Sequence, residues 1–397
     1  MTSWQTRRLA ELAAPGRSII SGPFGSSIGK RFFTDEGVPV IRGNNLTKGV
    51  AKFKDGGFVY LTPEKADELN AYAVKHDIIY TAAGTIGQVG IIPENSKYKK
   101  YTISNKQIRV RLDFSQIIPL YAYLALSSDH MISLVKRQNT GSTIPLINLE
   151  IIRNLKIQLP PVKEQERIVM VLEVWEEHIE KLERKIKLKE ILTKGLVQQL
   201  FTRRLQLPSS VASWSTITFA DLFKVLPKAS GLKSSEYLKK GSIPIFDQSY
   251  NNYISGFTDN VEKTVKLNNP LILFGDHSRV VKFIDLEQIA VGNDGIKLLQ
   301  VSKDNDAYFA YQLLCAYPIP NTGYNRHFKY LADAIFDIPE PKEQGEIARL
   351  LKVQETEIKA LEEKLNHIRL QKKYLLKNLI TGTIRTPENL KSYEVQS

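Results

Sequence analysis

Residues 159–202 read LPPVKEQERIVMVLEVWEEHIEKLERKIKLKEILTKGLVQQLFT, and residues 338–381 read IPEPKEQGEIARLLKVQETEIKALEEKLNHIRLQKKYLLKNLIT. The two align without a gap at an offset of 179, matching Pro160 with Pro339 and Lys163-Glu164-Gln165 with Lys342-Glu343-Gln344. Ile168, Leu172, Ile179, Leu182, Leu196 and Leu200 fall on Ile347, Leu351, Ile358, Leu361, Leu375 and Leu379. A period this long marks an internal duplication, which governs every other assignment. A shorter match joins SWQTRRLAEL at Ser3 to SWSTITFADL at Ser213, offset 210, so the second half has the shorter middle.

Each repeated segment predicts a long helix. Leu172, Trp175, Ile179, Leu182 and Ile186 step by three and four residues, the spacing of a coiled-coil seam with Glu and Lys on its flanks. Leu351, Ile358, Leu361, Leu365 and Ile368 continue the same pattern in the second copy, after Ile347. The prolines before each segment mark helix starts, since proline is tolerated only in the first turn. About 38 residues at ~1.5 Å each give a rod of roughly 57 Å. So apolar a stripe needs a partner: the other copy is the obvious one, and a helix of a second chain is the alternative.

The remaining segments are globular. GVPVIRG (37–43), DIIYTAAGTIGQVGII (77–92), KQIRVRL (106–112), SIPIFDQ (242–248) and NPLILFGD (269–276) predict short strands between Gly, Asn and Pro turns. IPLYAYLALSSDHMISLVKRQ (118–138) and DAYFAYQLLCAY (306–317) predict helices. The fold class is therefore α+β: two globules of mixed α/β structure, 1–158 and 207–337, separated by helical spacers, 159–206 and 338–385, with a tail at 386–397.

Lys and Arg exceed Asp and Glu by 13 over 397 residues, and about ten of those charges lie outside the two long helices. Basic globules on a near-neutral rod favour a polyanionic partner. No apolar run approaches a membrane span, the N-terminal stretch has no signal-peptide core, and the single cysteine, Cys315, excludes an internal disulfide framework, so a cytoplasmic location is expected.

Sites for bond making are not legible. SGPFGSSIGK (21–30) looks like a phosphate loop, but three residues separate Gly25 from Gly29 and Arg31 follows Lys30, where an NTPase needs four residues and a hydroxyl. GTIGQVG (84–90) lacks dinucleotide spacing and reads as a turn. His76, His130, His178, His277, His327 and His367 show no metal-ligand clustering, Cys315 reads as a core thiol, and no amino-methyltransferase motif is present.

With ISGPFGSSIGKRFFTDEGVPVIRGNNL, TAAGTIGQVGIIP, GSTIPLINLEIIRNLKIQLPPVKEQ and the second Lys-Glu-Gln helix, the sequence resembles the specificity subunit of type I restriction-modification enzymes over essentially its full length. The resemblance implies two target recognition domains, each reading half of a split DNA site, held apart by an antiparallel pair of long helices. It implies two methyltransferase subunits on that scaffold and restriction subunits outside them. S-adenosylmethionine would then sit on the methyltransferase partners, ATP and Mg on the restriction partners, and no cofactor on this chain. The second globule has KVLPKASGLKSSEYLKKGSIPIFDQS (224–249) in place of the Gly-rich stretch, so the heads are expected to read different half-sites. A stand-alone DNA-binding regulator or scaffold, and a divergent single-chain DNA methyltransferase, are the alternatives.

DNA readers use polar side chains on loops, some on phosphates and some on base edges. In the first head the candidates are Ser26, Ser27, Arg42, Asn44, Asn45, Thr81, Thr85, Arg137, Asn139, Thr140, Ser142 and Thr143. In the second they are Gln248, Tyr250, Asn251, His277, Arg279, Asn325, Arg326, His327 and Lys329. Heads at opposite ends of such a rod would face one side of a duplex, and helix length would set the gap between half-sites.

Overall fold

A computed structural model describes residues 4–47, 52–137, 147–208, 210, 213–227, 230–250, 252–323 and 325–390. The first half runs β1 (Gln5–Arg8), β2 (Ile19–Ser21), β3 (Val38–Ile41), β4 (Val59–Leu61), α1 (Pro63–Leu69), β5 (Tyr72–Ala73), β6 (Ile78–Thr81), β7 (Val89–Ile91), β8 (Tyr101–Ile103), β9 (Gln107–Val110), α2 (Pro119–Leu126), α3 (Asp129–Arg137), α4 (Leu149–Arg153), β10 (Lys156–Leu159) and the long α5 (Val162–Phe201). The second runs β11 (Ser215–Thr218), α6 (Phe219–Leu222), β12 (Phe223–Val225), β13 (Ile243–Phe246), β14 (Gly256–Thr258), β15 (Thr264–Lys266), β16 (Leu271–Gly275), β17 (Val281–Ile284), β18 (Gln288–Val291), β19 (Ile296–Val301), α7 (Ala307–Ala316), α8 (Phe328–Ala332), β20 (Ile335–Ile338) and the long α9 (Pro341–Thr381).

The duplication extends through both globules, although their sequences do not announce it. The first head holds sheets of order β2-β9-β6-β7 and β4-β3-β8-β5; the second holds β12-β19-β16-β17 and β14-β13-β18-β15, the same order strand for strand. Among the named strands of the described residues, each head has one parallel pair, β3 with β8 or β13 with β18, and its other pairs are antiparallel. The short repeat at Ser3 and Ser213 becomes β1 and β11, which pair with β10 and β20 directly before the long helices. Each globule is thereby closed by its first and last strands.

Two compact units form, residues 1–184 with 363–397, and residues 185–362. Each contains one head and a half of each long helix. In the first, Glu176 pairs with Lys372 and Glu183 with Arg369 at 2.6 Å, so the helix halves run antiparallel. Leu172, Ile179, Leu182, Leu365 and Ile368 are buried, and Trp175 is half-buried. In the second, Lys189 pairs with Glu357 at 2.5 Å, Leu200 shares a core with Ile347 and Leu351, and Ile186 is buried while Ile358 and Leu361 are half-buried. The α5–α9 pairing within one chain is the arrangement that the seam called for.

The Lys-Glu-Gln signature has a packing role. Gln165 is fully buried: its Oε1 accepts from the Ile118 N–H at 2.8 Å, and its Nε2 donates to the Pro160 carbonyl at 3.0 Å. Gln344 does the same, accepting from the Asp306 N–H at 3.0 Å and donating to the Pro339 carbonyl at 2.9 Å. Ile118 and Asp306 are the N-caps of α2 and α7, so each glutamine fastens a head helix to the start of a long helix. Glu164, also buried, accepts from Trp4 Nε1 at 3.1 Å and from Arg385 at 2.6 and 2.5 Å, and Gly382, φ +74°, packs on the Trp4 ring. In the other unit Glu343 accepts from Ser210 at 2.7 Å, and Arg203, φ +57°, lies 5.6 Å from the Trp214 ring.

Two expectations are corrected. The helix expected over 118–138 is two, α2 and α3, because the buried Ser128 hydroxyl donates to the Ala125 carbonyl and accepts from the Met131 N–H, ending one helix and capping the next. Cys315 is exposed, while its neighbours Leu313 and Leu314 fill the core. No helix among the described residues is long and apolar enough to cross a membrane.

Candidate nucleic-acid interface

Three loops meet at one end of the first head: the segment after β3, the β6–β7 turn and the β8–β9 turn. Asn44, Thr81, Thr85, Gln88 and Lys106 line a cleft of about 370 Å³, and Arg42, Asn105 and Lys106 line another of about 310 Å³. Among the described residues no carboxylate lines either cleft, so an electropositive, hydrogen-bonding surface results. Gly84 and Gly87, at φ +88° and +84°, permit the turn that exposes Thr85.

The Gly-rich stretch sits beside these clefts. A Cβ on Gly22 would lie 1.9 Å from the Ser104 carbonyl oxygen, and one on Gly25 would lie 3.0 Å from Asn105 Nδ2. The loop is thus laid against the β8–β9 turn, exposing Ser26 and half-burying Ser27. The second head has the same device: a Cβ on Gly231 would lie 2.3 Å from Asn293 Cα and 2.5 Å from the Gly292 carbonyl oxygen. The expectation that the second head lacks this loop is corrected. SGLKSSEY (230–237) supplies it with one residue fewer before its serines, too short a match to see in sequence.

In the second head the equivalent loops also converge. Gln248 after β13 accepts from the His277 N–H at 3.1 Å and donates to the Asp294 carbonyl at 3.4 Å, while His277 Nε2 lies 3.9 Å from the Asp294 carboxylate. Beneath them, burial opposes ionisation of Asp247, yet hydrogen bonds from Ser249 and Ser255 and the charge of Lys282 hold its carboxyl below the ordinary range. Tyr250 is 67% exposed. Arg279, at φ +63°, donates to the Ile319 carbonyl at 3.2 Å.

Several candidates are structural instead. Asn45 is 0% exposed, accepting from the Arg42 N–H at 3.0 Å and donating to the Lys54 and Gly56 carbonyls at 3.0 Å. His327, also 0% exposed, has Nδ1 at 2.9 Å from the Asp276 carbonyl while Nε2 accepts from the Thr322 N–H at 3.4 Å, so the proton belongs on Nδ1. It clamps α8 to the loop after β16. Thr81, 2% exposed, only floors its cleft. Arg137 stands apart from the loops, lining a groove of about 1270 Å³ between α3 and the two long helices. Asn325, Arg326 and Lys329 are exposed. Asn139, Thr140, Ser142, Thr143 and Asn251 lie outside the described residues.

Sequence reasoning missed Gln88, Asn105, Lys106 and Asp294. For the last three the legible signal was the pair of polar turns SNK (104–106) and GND (292–294), each between two apolar runs; Gln88 sits in the GTIGQVG turn (84–90).

Comparison with known proteins agrees with this architecture. A family model described as the type I restriction modification DNA specificity domain matches residues 1–190 and 212–370. Similar proteins include the type I restriction enzyme MjaVIII specificity subunit of Methanocaldococcus jannaschii, 21% identical over 72% of this chain and 75% of its own length. The EcoBI specificity subunit of Escherichia coli is 26% identical over a shorter stretch, 28% of this chain and 23% of its own length. Among solved structures, the S subunit of the type I restriction-modification system from M. genitalium aligns over 95% of this chain and 96% of its own, with TM-score 0.56 and 17% identity. A chain from a study of assembly and conformational transition of the type I R-M system aligns over 97% and 99%, with TM-score 0.61 and 16% identity.

Proposed function

The chain belongs to the type I restriction-modification DNA specificity family, and from that premise we propose that it reads an asymmetric, two-part DNA target, one half with each head. The supporting observation is that equivalent loops on duplicated scaffolds carry different chemistry: Asn44, Thr85 and Lys106 in the first head, Gln248, His277 and Asp294 in the second. Asn and Gln suit adenine, Lys suits guanine, and a carboxylate accepts from cytosine. Two heads with different donor and acceptor sets read unequal half-sites.

In this reading the chain is not itself an enzyme. Methyltransferase subunits carrying S-adenosylmethionine modify adenine at the bound site, and restriction subunits using ATP and Mg cleave unmodified DNA. Apolar side chains left in water on the long helices suit docked partners: Val174, Leu370 and Tyr374 in one unit, Leu188, Ile191, Leu192 and Val353 in the other, each at least 52% exposed.

The test is methylome sequencing of cells that express this chain with its methyltransferase subunit. A split motif with unequal halves is expected; a palindrome, or no new methylation, refutes the proposal. Replacing Asn325 and Arg326 with Ala should relax one half-site and leave partner assembly intact.

A further inference from the structure

Phe24 is 87% exposed, the most exposed of the large apolar side chains among the described residues. The backbone that carries this ring is fixed on both sides. Gly22 backbone lies against the Ser104 carbonyl with no room for a Cβ, the ring of Pro23 fixes its own φ, and the Ser27 N–H donates to the Phe24 carbonyl at 2.9 Å. Ile28, 5% exposed, anchors the far side in the core. The ring therefore projects from the rim of the clefts lined by Arg42, Asn105 and Lys106, with Lys30 and Arg31 exposed nearby in sequence.

We propose that Phe24 is an apolar wedge that enters a base step of the half-site read by the first head, unstacking it and adding shape readout to the base contacts. This rests on the DNA-reading function proposed above. A ring with a π-face beside clefts that, among the described residues, are lined by cations and by no carboxylate fits stacked bases between phosphates, because stacking needs no hydrogen-bond match and the cations hold the backbone in register. The second head offers no such ring at this place. Its loop has Leu232, 2% exposed, followed by Lys233, so a wedge at this loop belongs to the first head alone.

The test uses the full chain assembled with its methyltransferase subunits, on duplexes carrying the mapped target with 2-aminopurine at successive positions of each half. Wild type should raise fluorescence at one step in one half beyond any signal at the methylated adenine. Phe24→Ala should lose that signal and bind about 10-fold or more weakly. A mismatch placed at that step, which lowers the cost of unstacking, should tighten wild-type binding and leave Phe24→Ala unchanged. Unchanged affinity and fluorescence in Phe24→Ala overturn the proposal. Weakened subunit assembly with unaltered DNA distortion also overturns it, and assigns the ring to a protein contact. If wild type shows no preference for the mapped duplex over random DNA, the DNA-reading function falls instead, and the wedge with it.

Discussion

Truncating the buried glutamine of either Lys-Glu-Gln signature should loosen one head and spare the other. In Gln165→Ala the Ile118 N–H and the Pro160 carbonyl lose partners at 2.8 and 3.0 Å in a site with no solvent exposure at the glutamine. Each unsatisfied buried group costs about 1–3 kcal/mol, so two cost about 2–6 kcal/mol. Gln344→Ala removes the matching bonds to the Asp306 N–H and the Pro339 carbonyl, with the Asn305 side chain at 2.7 Å as a third partner, and should cost a similar amount in its own unit. Urea unfolding would read the energy. Hydrogen exchange would read the place: Ile118 should exchange faster in Gln165→Ala and Asp306 in Gln344→Ala, each leaving the other near its wild-type rate. A loss below about 1 kcal/mol, or equal acceleration at both amides in either variant, would refute the view that these glutamines are separate fasteners.

The close approach of the Gly-rich loops gives a second expectation. Gly22→Ala and Gly231→Ala push a Cβ into fixed backbone and should each destabilise by about 1–3 kcal/mol, whereas Gly29→Ala, whose nearest atom is 3.7 Å away, should be nearly neutral in thermal melts. Acid should release the segment after α9. Arg385, and less so Trp4, holds the Glu164 carboxyl below its ordinary 4.5, so its contribution is whole above that value and is lost as pH falls through the lower folded value. Tryptophan emission followed below pH 4.5 should report this, and Glu164→Gln should flatten that transition. Inserting one heptad in both long helices should widen the gap between recognised half-sites by about 3 bp, since ~10 Å of helix spans three ~3.4 Å steps; an unchanged motif gap in methylome data would refute the role of helix length.

Periodicity carried the long helices, because apolar residues spaced by three and four fall on one helix face. The ten-residue match at Ser3 and Ser213 was visible as a repeat, and its pairing as the strands that close each globule came from the structure. The sameness of the two heads was not legible. Strand order depends on which edges pair across long sequence separations, and many apolar sequences satisfy one set of pairings. Loop residues showed the same limit: Asn44 and Asn45 are neighbours of one type, yet one faces the cleft and the other holds the loop from within, since each step along this 3-10 turn swings the side chain about a third of the way round.

By itself, then, the sequence determined that the chain is duplicated, basic in its globules, and spaced by long helices with an apolar stripe, because those properties live in composition and period. Only the tertiary structure decided that the heads share a topology, that SGLKSSEY answers SGPFGSSIGK, and which polar residues stand open to a ligand. Those depend on close contacts between segments far apart in the chain, such as Gly22 with Ser104 and Gly231 with Asn293, and no local pattern encodes them.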